Sequence, residues 1–167
     1  MLASTCPLET ILSEVLANLA FMFGEPPAGE SAPEVEWFEC AIGYHGPQSG
    51  ALKLRCPQSF AVLLAANLLG LEPTSPELAG KIEDPVKELL NVICGQTVTA
   101  LYGRVAAFEL EIPAMQRLEA TPPRLNPSPD AVELCVEGHL VQLLHIRESD
   151  ADDAHAATTG MPAGSVQ

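Results

Sequence analysis

The amino-acid sequence predicts an α+β fold in which two long helices pack on a mixed β-sheet, with a further short helix. Three segments repeat apolar residues at intervals of three and four, which is the period of an amphipathic helix. The strand-like segments fall in groups between these helices instead of alternating with them one by one, as is typical of an α+β domain. With 167 residues, the chain has room for one ordinary domain.

The first predicted helix lies in PLETILSEVLANLAFMFGE, where apolar residues recur from Leu8 to Met22 and Gly24 is expected to close the helix. The linker EPPAGESAPE follows, because its prolines and glycine break the pattern. Two strand-like runs come next, VEWFECAIGYHG and GALKLRC, joined by the turn residues GPQSG. This pattern predicts a β-hairpin.

A second, largely buried helix is predicted from about Pro57 to Leu69, since proline suits a first helical turn and a glycine follows the last residue. The segment LEPTSPELAGK is then predicted to form a turn or a short helical piece. The third predicted helix runs from Asp84 to about Tyr102.

After the third helix the apolar period changes to that of strands. We predict strands in AAFELEIP, AVELCVE and HLVQLLHI, the last two separated by a tight turn near Gly138. The domain is therefore placed at residues 1–147. Residues 148–167 are acidic and rich in small side chains, so we predict a disordered tail there.

The composition excludes several classes of function. A formal net charge of −14, from 22 acidic and 8 basic residues, disfavours nucleic acid and anionic membrane surfaces and favours a partner with a basic face. The longest apolar run, AVLLAANLLGL, is too short to cross a bilayer, and the first residues do not resemble a signal peptide. We therefore expect a soluble, cytoplasmic protein.

The five cysteines and the paired histidines do not form a metal-binding pattern. The cysteines are scattered and never spaced as C-x-x-C, so reduced and mostly buried thiols are expected. His139 and His145 lie six residues apart on a predicted strand, but no further ligand occurs at a matching spacing. A serine nucleophile is also disfavoured, because no G-x-S-x-G motif occurs.

The third helix carries one unusual stripe of residues. At about 100° per position, Asp84, Glu88, Asn91 and Gly95 fall on one side, and the apolar residues fall on the other. Three ordinary explanations compete with function. Asp84 before a proline suits a helix cap, Glu88 and Asn91 suit a solvated face, and Gly95, which costs roughly 1 kcal/mol in a helix, could reflect tight helix packing or the close approach of a partner.

The order of elements and the stripe together resemble the CheC, CheX and FliY family of chemotaxis phosphatases, with CheX the most similar. The family motif is Asp or Ser, three residues, Glu, two residues, Asn, and a glycine four residues further on, which Asp84, Glu88, Asn91 and Gly95 match. The segments SGALKLRC, FAVLLAANLLG and FELEIP resemble the family's segments around its active helix. The resemblance covers about residues 8–147 and implies a CheX-like fold.

The resemblance also implies a function. A phosphatase of this family hydrolyses the phospho-aspartate of a response-regulator receiver domain such as CheY. By resemblance, Asn91 orients the attacking water, Glu88 pairs with a receiver lysine, and Asp84, Glu88 and Gly95 contact the partner. The chain would need no cofactor or metal of its own, because the receiver supplies Mg²⁺.

The resemblance leaves two matters of assembly open. Some relatives carry the motif on both long helices, but Ala17 stands where the first helix would need its asparagine, so we expect one site per chain. CheX-like proteins can form homodimers through their sheets, and the strands near residues 131–146 are the candidates here. Two alternatives to an enzyme remain: a receiver-binding adaptor without catalysis, and a scaffold whose stripe packs against its own dimer mate.

Overall fold

The computed structural model describes residues 7–29, 34 and 36–148. The predicted disordered tail lies outside these residues except for its first position, and Cys6 also lies outside them. Three α-helices are described, together with a single 3-10 turn at Pro76–Leu78. The helices are α1 (Pro7–Ala20), α2 (Gln58–Leu69) and α3 (Glu83–Tyr102). All three were predicted from hydrophobic periodicity.

The first helix ends earlier than the sequence predicts. It stops at Ala20, and the next residue, Phe21, takes a left-handed backbone conformation with φ of 55°. The backbone N–H of Met22 then donates to the carbonyl of Leu16 at 3.1 Å, which closes the helix. Gly24 instead begins a short strand.

The seven described strands form one sheet. They are β1 (Gly24–Glu25), β2 (Trp37–His45), β3 (Gly50–Pro57), β4 (Glu109–Leu110), β5 (Ala114–Leu118), β6 (Ala131–Val136) and β7 (His139–Arg147). Their order is β1-β6-β7-β3-β2-β4, and β5 also pairs with β2. The predicted hairpins β2–β3 and β6–β7 are confirmed.

The α+β class is confirmed, and every pairing between described strands is antiparallel where a mixed sheet was expected. The hairpins β2–β3 and β6–β7 are antiparallel because tight turns can only join antiparallel neighbours, and the two hairpins meet edge to edge through the antiparallel β3–β7 pair. The run AAFELEIP forms only the two-residue β4, and the longer β5 follows Pro113. Proline cannot donate to a strand ladder, which explains an interruption at that residue.

The core lies between one face of the sheet and the helices. Leu12 and Leu16 of α1 and Leu89, Leu90 and Ile93 of α3 are all fully buried. The start of α1 and the end of α3 line one small cavity. None of the described helices is long and apolar enough to span a membrane.

The described cysteines agree with the predicted buried thiols. Cys40, Cys56 and Cys94 are buried and unpaired, and Cys135 is half-buried. Burial raises the pKa of both Cys40 and Cys94 to about 11, which keeps these two side chains in the unreactive thiol form near neutral pH.

The sheet offers limited edges for the expected homodimer. β7 has β3 on one side and β6 on the other, so it has no free edge. β6 pairs with β1 only at Val136 and Cys135, and its first residue, Ala131, is hydrogen-bonded to Ser128, so residues 132–134 are the candidate within residues 131–146. A homodimer through this region stays a prediction.

A buried tyrosine fixes the end of α3 on the sheet. The hydroxyl of Tyr44 in β2 is hydrogen-bonded to the hydroxyl of Tyr102 at 3.0 Å and to Nε2 of His145 in β7 at 2.9 Å. Tyr44 is fully buried. Burial raises the pKa of the Tyr44 hydroxyl, and the hydrogen bond with the Tyr102 hydroxyl raises that pKa further. The last turn of α3 is thereby joined to two strands by polar contacts in the core.

We expect Tyr44→Phe to lower the free energy of unfolding by about 1–3 kcal/mol, because it removes both hydrogen bonds from a buried site. Tyr102→Phe is the matched control, since it removes one of the two bonds from a half-buried position and should cost about 0.5–1.5 kcal/mol. Urea denaturation followed by circular dichroism measures both changes. Equal losses in the two variants would show that the bond to His145 contributes nothing.

Candidate functional site

The start of α3 differs from the expected cap. The helix begins at Glu83, and its N-cap residue Ile82 makes no side-chain capping hydrogen bond. Asp84 therefore lies inside the first turn, and its interpretation as a helix cap is wrong. Glu83 pairs instead with Lys87 one turn later, with Oε1 and Nζ 2.7 Å apart. The Asp84 carboxylate is exposed, and its negative charge interacts favourably with the positive end of the helix dipole.

The predicted stripe is present on the outer side of α3. Asp84, Glu88 and Asn91 are exposed, and Gly95 is partly exposed. The opposite side is buried over the whole length of the helix: Pro85, Val86, Leu89, Leu90, Ile93, Cys94, Thr97 and Val98. Since a helix rises about 1.5 Å per residue, Glu88 and Asn91 are offset by roughly 4.5 Å along the axis.

The side chains of Glu88 and Asn91 are not engaged within the chain. Among the described residues, neither side chain takes part in a hydrogen bond or an ion pair. Bulk water would satisfy the polar groups of both side chains. A partner would also satisfy them if it supplied a cation to Glu88 and a water molecule to Asn91. The structure thus brings the two predicted catalytic residues together on one accessible helical face.

A groove runs along the first turns of this stripe. Asp84, Pro85 and Glu88 form one wall, and Lys81 and Gly80 lie at its end. The other wall is apolar and comes from the last turn of α2, through Leu68 and Leu69. The sequence did not identify these two leucines, because their approach to α3 depends on how α2 crosses the start of α3.

Gly95 has no packing function among the described residues. A methyl group built at this position would meet no atom within 4 Å, apart from the chain neighbours and the helix's own backbone. Tight packing of α3 against another described element therefore does not explain the glycine. Its carbonyl accepts a hydrogen bond from Oγ1 of Thr99 at 2.9 Å, as is common for threonine in a helix.

The two histidines do not form a shared site. His145 is buried, and its Nδ1 lies 3.2 Å from Oδ1 of Asp130. His139 contacts Glu34, with Nδ1 2.8 Å from Oε1, and the hydroxyl of Ser59. Among the described residues, no group of three His, Cys, Asp or Glu side chains is arranged to hold a metal ion. The expectation that Mg²⁺ belongs to the receiver stays a prediction.

Comparison with known proteins identifies the family. The model of the family described as chemotaxis phosphatase CheX matches residues 38–123, just over half of the chain, and this region contains the whole stripe. The chain belongs to the CheX family. No curated protein matches it significantly.

Solved CheX structures share the fold. CheX from Desulfovibrio desulfuricans matches with a TM-score of 0.63 at 18% identity, covering 84% of this chain and 96% of that one. CheX from Vibrio vulnificus matches with a TM-score of 0.62 at 17% identity, covering 84% and 93%. The CheX–CheY–BeF3–Mg complex from Borrelia burgdorferi contains a chain that matches with a TM-score of 0.57 at 17% identity, covering 84% and 95%.

The first helix of this CheX family member lacks the spacing of the motif on α3. It exposes Glu14 and Asn18, four residues apart, and the half-buried Ala17 lies between them. Residues four apart on a helix differ from residues three apart in their angle around the helix axis and in their separation along it. Glu14 and Asn18 therefore do not reproduce the arrangement of Glu88 and Asn91. One site per chain remains the expectation.

We expect Gly95→Ala to raise the free energy of unfolding by about 0.5–1 kcal/mol, because alanine favours the helix and its methyl group has open space. Urea denaturation measures this change. Leu90→Ala on the buried side is the opposite control and should lose about 2–5 kcal/mol. A loss of stability in Gly95→Ala would mean that the chain itself occupies the space beside the glycine.

Proposed function

We propose that this CheX family member is a protein aspartyl-phosphate phosphatase that acts on the receiver domain of a CheY-type response regulator. Water attacks the phosphorus, the bond between the phosphorus and the aspartyl oxygen breaks, and the products are inorganic phosphate and a free carboxylate. Asn91 orients the water, and Glu88 docks the receiver. Mg²⁺ is bound by the receiver and balances charge on the phosphoryl oxygens.

The observation that carries this proposal is the pairing of an exposed amide with an exposed carboxylate on one rigid helical face. Asn91 and Glu88 are both accessible and have no partner among the described side chains. The buried opposite side of α3 holds their backbone in place. The Borrelia burgdorferi structure, in which a related CheX is bound to CheY with BeF3 and Mg, supports a receiver as the partner.

An amide is chemically sufficient for the role given to Asn91. Phosphoryl transfer depends mainly on positioning and on stabilising charge spread over the phosphoryl oxygens. A carboxamide can accept a hydrogen bond from water through its oxygen and donate through its nitrogen, so it can hold a water in line with the breaking bond. Ordering the water in advance removes part of the entropic cost of the reaction.

A carboxylate suits the docking role better than the catalytic one. Glu88 would repel a phosphoryl group electrostatically, but it would attract a cation beside the receiver's phosphorylation site. Asp84 lines the same groove and adds a second negative charge. Gly95 leaves the stripe without a side chain one turn beyond Asn91, so a receiver surface can approach α3 closely there.

The alternative is a receiver-binding adaptor that does not hydrolyse the phosphate. The same groove and stripe would serve such an adaptor, which would need Glu88 and the apolar wall for affinity. The adaptor has no need of Asn91, however, because an amide that only faces solvent adds little to binding. Loss of phosphate release without loss of binding in an Asn91 variant therefore separates the two functions.

We expect Asn91→Ala to lower kcat for phosphate release from a phosphorylated receiver by about 100-fold, because the water is no longer oriented. Stability should be unchanged, since the residue is exposed. Gln96→Ala is the matched control, because it removes another exposed amide from α3 on a different side of the helix. Phosphate release is followed with a phosphate sensor at saturating receiver. Rates in wild type and Asn91→Ala that both equal the decay of the receiver alone would leave the adaptor, and equal rates above that decay would show that Asn91 does not orient the water.

We expect Glu88→Ala to raise KM for the phosphorylated receiver about tenfold with little change in kcat, since one ion pair across the interface is lost. The increase should shrink at high salt, where such pairs are screened. Glu148→Ala removes the same charge far from the stripe and serves as the control. If kcat falls while KM is unchanged, Glu88 acts in the chemical step and its docking role is wrong.

A further inference from the structure

Phe21 occupies a backbone conformation that glycine normally fills. Its φ of 55° lies in the left-handed region, directly after the last residue of α1. Helices commonly end on such a residue, and glycine is preferred there because it has no side chain to strain the backbone. A phenylalanine is therefore an unfavourable choice for closing α1.

Packing within the chain does not explain the phenylalanine. Phe21 is 76% exposed, whereas Met22, the next residue, is fully buried in the core. Met22 provides the apolar contact that anchors the end of α1, so the Phe21 side chain is not needed for that purpose. A strained backbone that holds a large apolar side chain in water indicates a function outside the folded chain.

The last turn of α1, which Phe21 follows, lies beside the last turn of α2, which lines the groove that contains Glu88. Nδ2 of Asn67 in α2 donates to the carbonyl of Ala20 at 2.9 Å, which joins the last turns of α1 and α2. Leu68 and Leu69 follow Asn67 directly and form the apolar wall of the groove, with Leu69 47% exposed.

We propose that Phe21, Leu68 and Leu69 form an apolar rim that docks the receiver domain and helps to select which receiver is bound. This inference rests on the proposed function, since it takes the receiver as the occupant. Leu68 and Leu69 of this rim line the same groove as Asp84 and Glu88. The matching surface on the receiver therefore carries a cationic side chain flanked by apolar ones.

The test measures binding and stability in the same variants. The probe is a CheY-type receiver loaded with beryllofluoride and Mg²⁺, and Kd is measured by fluorescence anisotropy. We expect Phe21→Gly to weaken binding about tenfold, because a large apolar contact is lost. Its Tm should stay equal or rise, because glycine relieves the backbone strain. Phe21→Asn, which also tolerates a left-handed backbone, should weaken binding to a similar degree.

Glu137→Gly is the matched control. Glu137 has the same type of backbone conformation, with φ of 50°, in the exposed turn between β6 and β7, and it does not line the groove. It should raise Tm without changing Kd. The kcat of Phe21→Gly for phosphate release at saturating receiver should equal that of wild type, since the rim acts in docking and not in the chemical step.

Two results would overturn the inference alone, and a third, a failure of the proposed function, can be told apart from them. If wild type binds and dephosphorylates the receiver but Phe21→Gly and Phe21→Asn bind it as tightly as Glu137→Gly does, the rim is not a docking surface. If Phe21→Gly instead abolishes only self-association, measured by sedimentation, the rim belongs to a contact between two copies. If wild type neither binds nor dephosphorylates any CheY-type receiver, the proposed function fails and the rim loses its occupant.

Discussion

The site depends on the burial of one side of α3 between the sheet and α1. Eight residues of α3 are buried, at intervals that keep them on a single side. Full burial of an aliphatic side chain contributes about 1.5–3 kcal/mol, so the helix cannot rotate without losing several such contributions. Rotation would also bury the carboxylate of Glu88, which has no described partner to compensate its charge. Core packing thus fixes the direction in which Glu88 and Asn91 project.

This constraint explains how an otherwise unspecialised helix could support chemistry. The Asn91 side chain has no hydrogen-bonded support within the described chain, so its position comes from the backbone of α3 alone. The backbone is held at its far end by the bond between Tyr102 and Tyr44. A reaction that mainly requires the positioning of one water molecule needs no more from this protein, provided that the partner contributes the metal and the phosphoryl group.

The periodic parts of the fold could be predicted from the sequence, and the parts set by distant contacts could not. All three helices and both hairpins follow from local apolar period and turn residues, and the stripe on α3 follows from helical geometry alone. The short strand β1, the strand β5 and the antiparallel β3–β7 pair depend on which segments meet in space. The Tyr44–His145 contact joins residues about a hundred positions apart and leaves no local signal.

Two errors at helix ends have the same physical origin. Asp84 and Gly24 both suit a helix boundary by composition, but α3 begins at Glu83 and α1 ends at Ala20, because composition alone does not fix the terminal residue of a helix. The result is a carboxylate left free in a groove and a phenylalanine held in a glycine-like conformation. Both features occur where the structure departs from the local pattern that the sequence predicts. Functional constraints often appear at such positions.

The most direct measurement is a crystal structure of this protein bound to a receiver loaded with Mg²⁺ and beryllofluoride, an analogue of the phosphorylated state. The account predicts that the Asn91 carboxamide enters the receiver's site and lies within about 3 Å of a water molecule facing the beryllium. A complex in which the receiver docks on another surface, or in which Asn91 stays in bulk solvent, would contradict it.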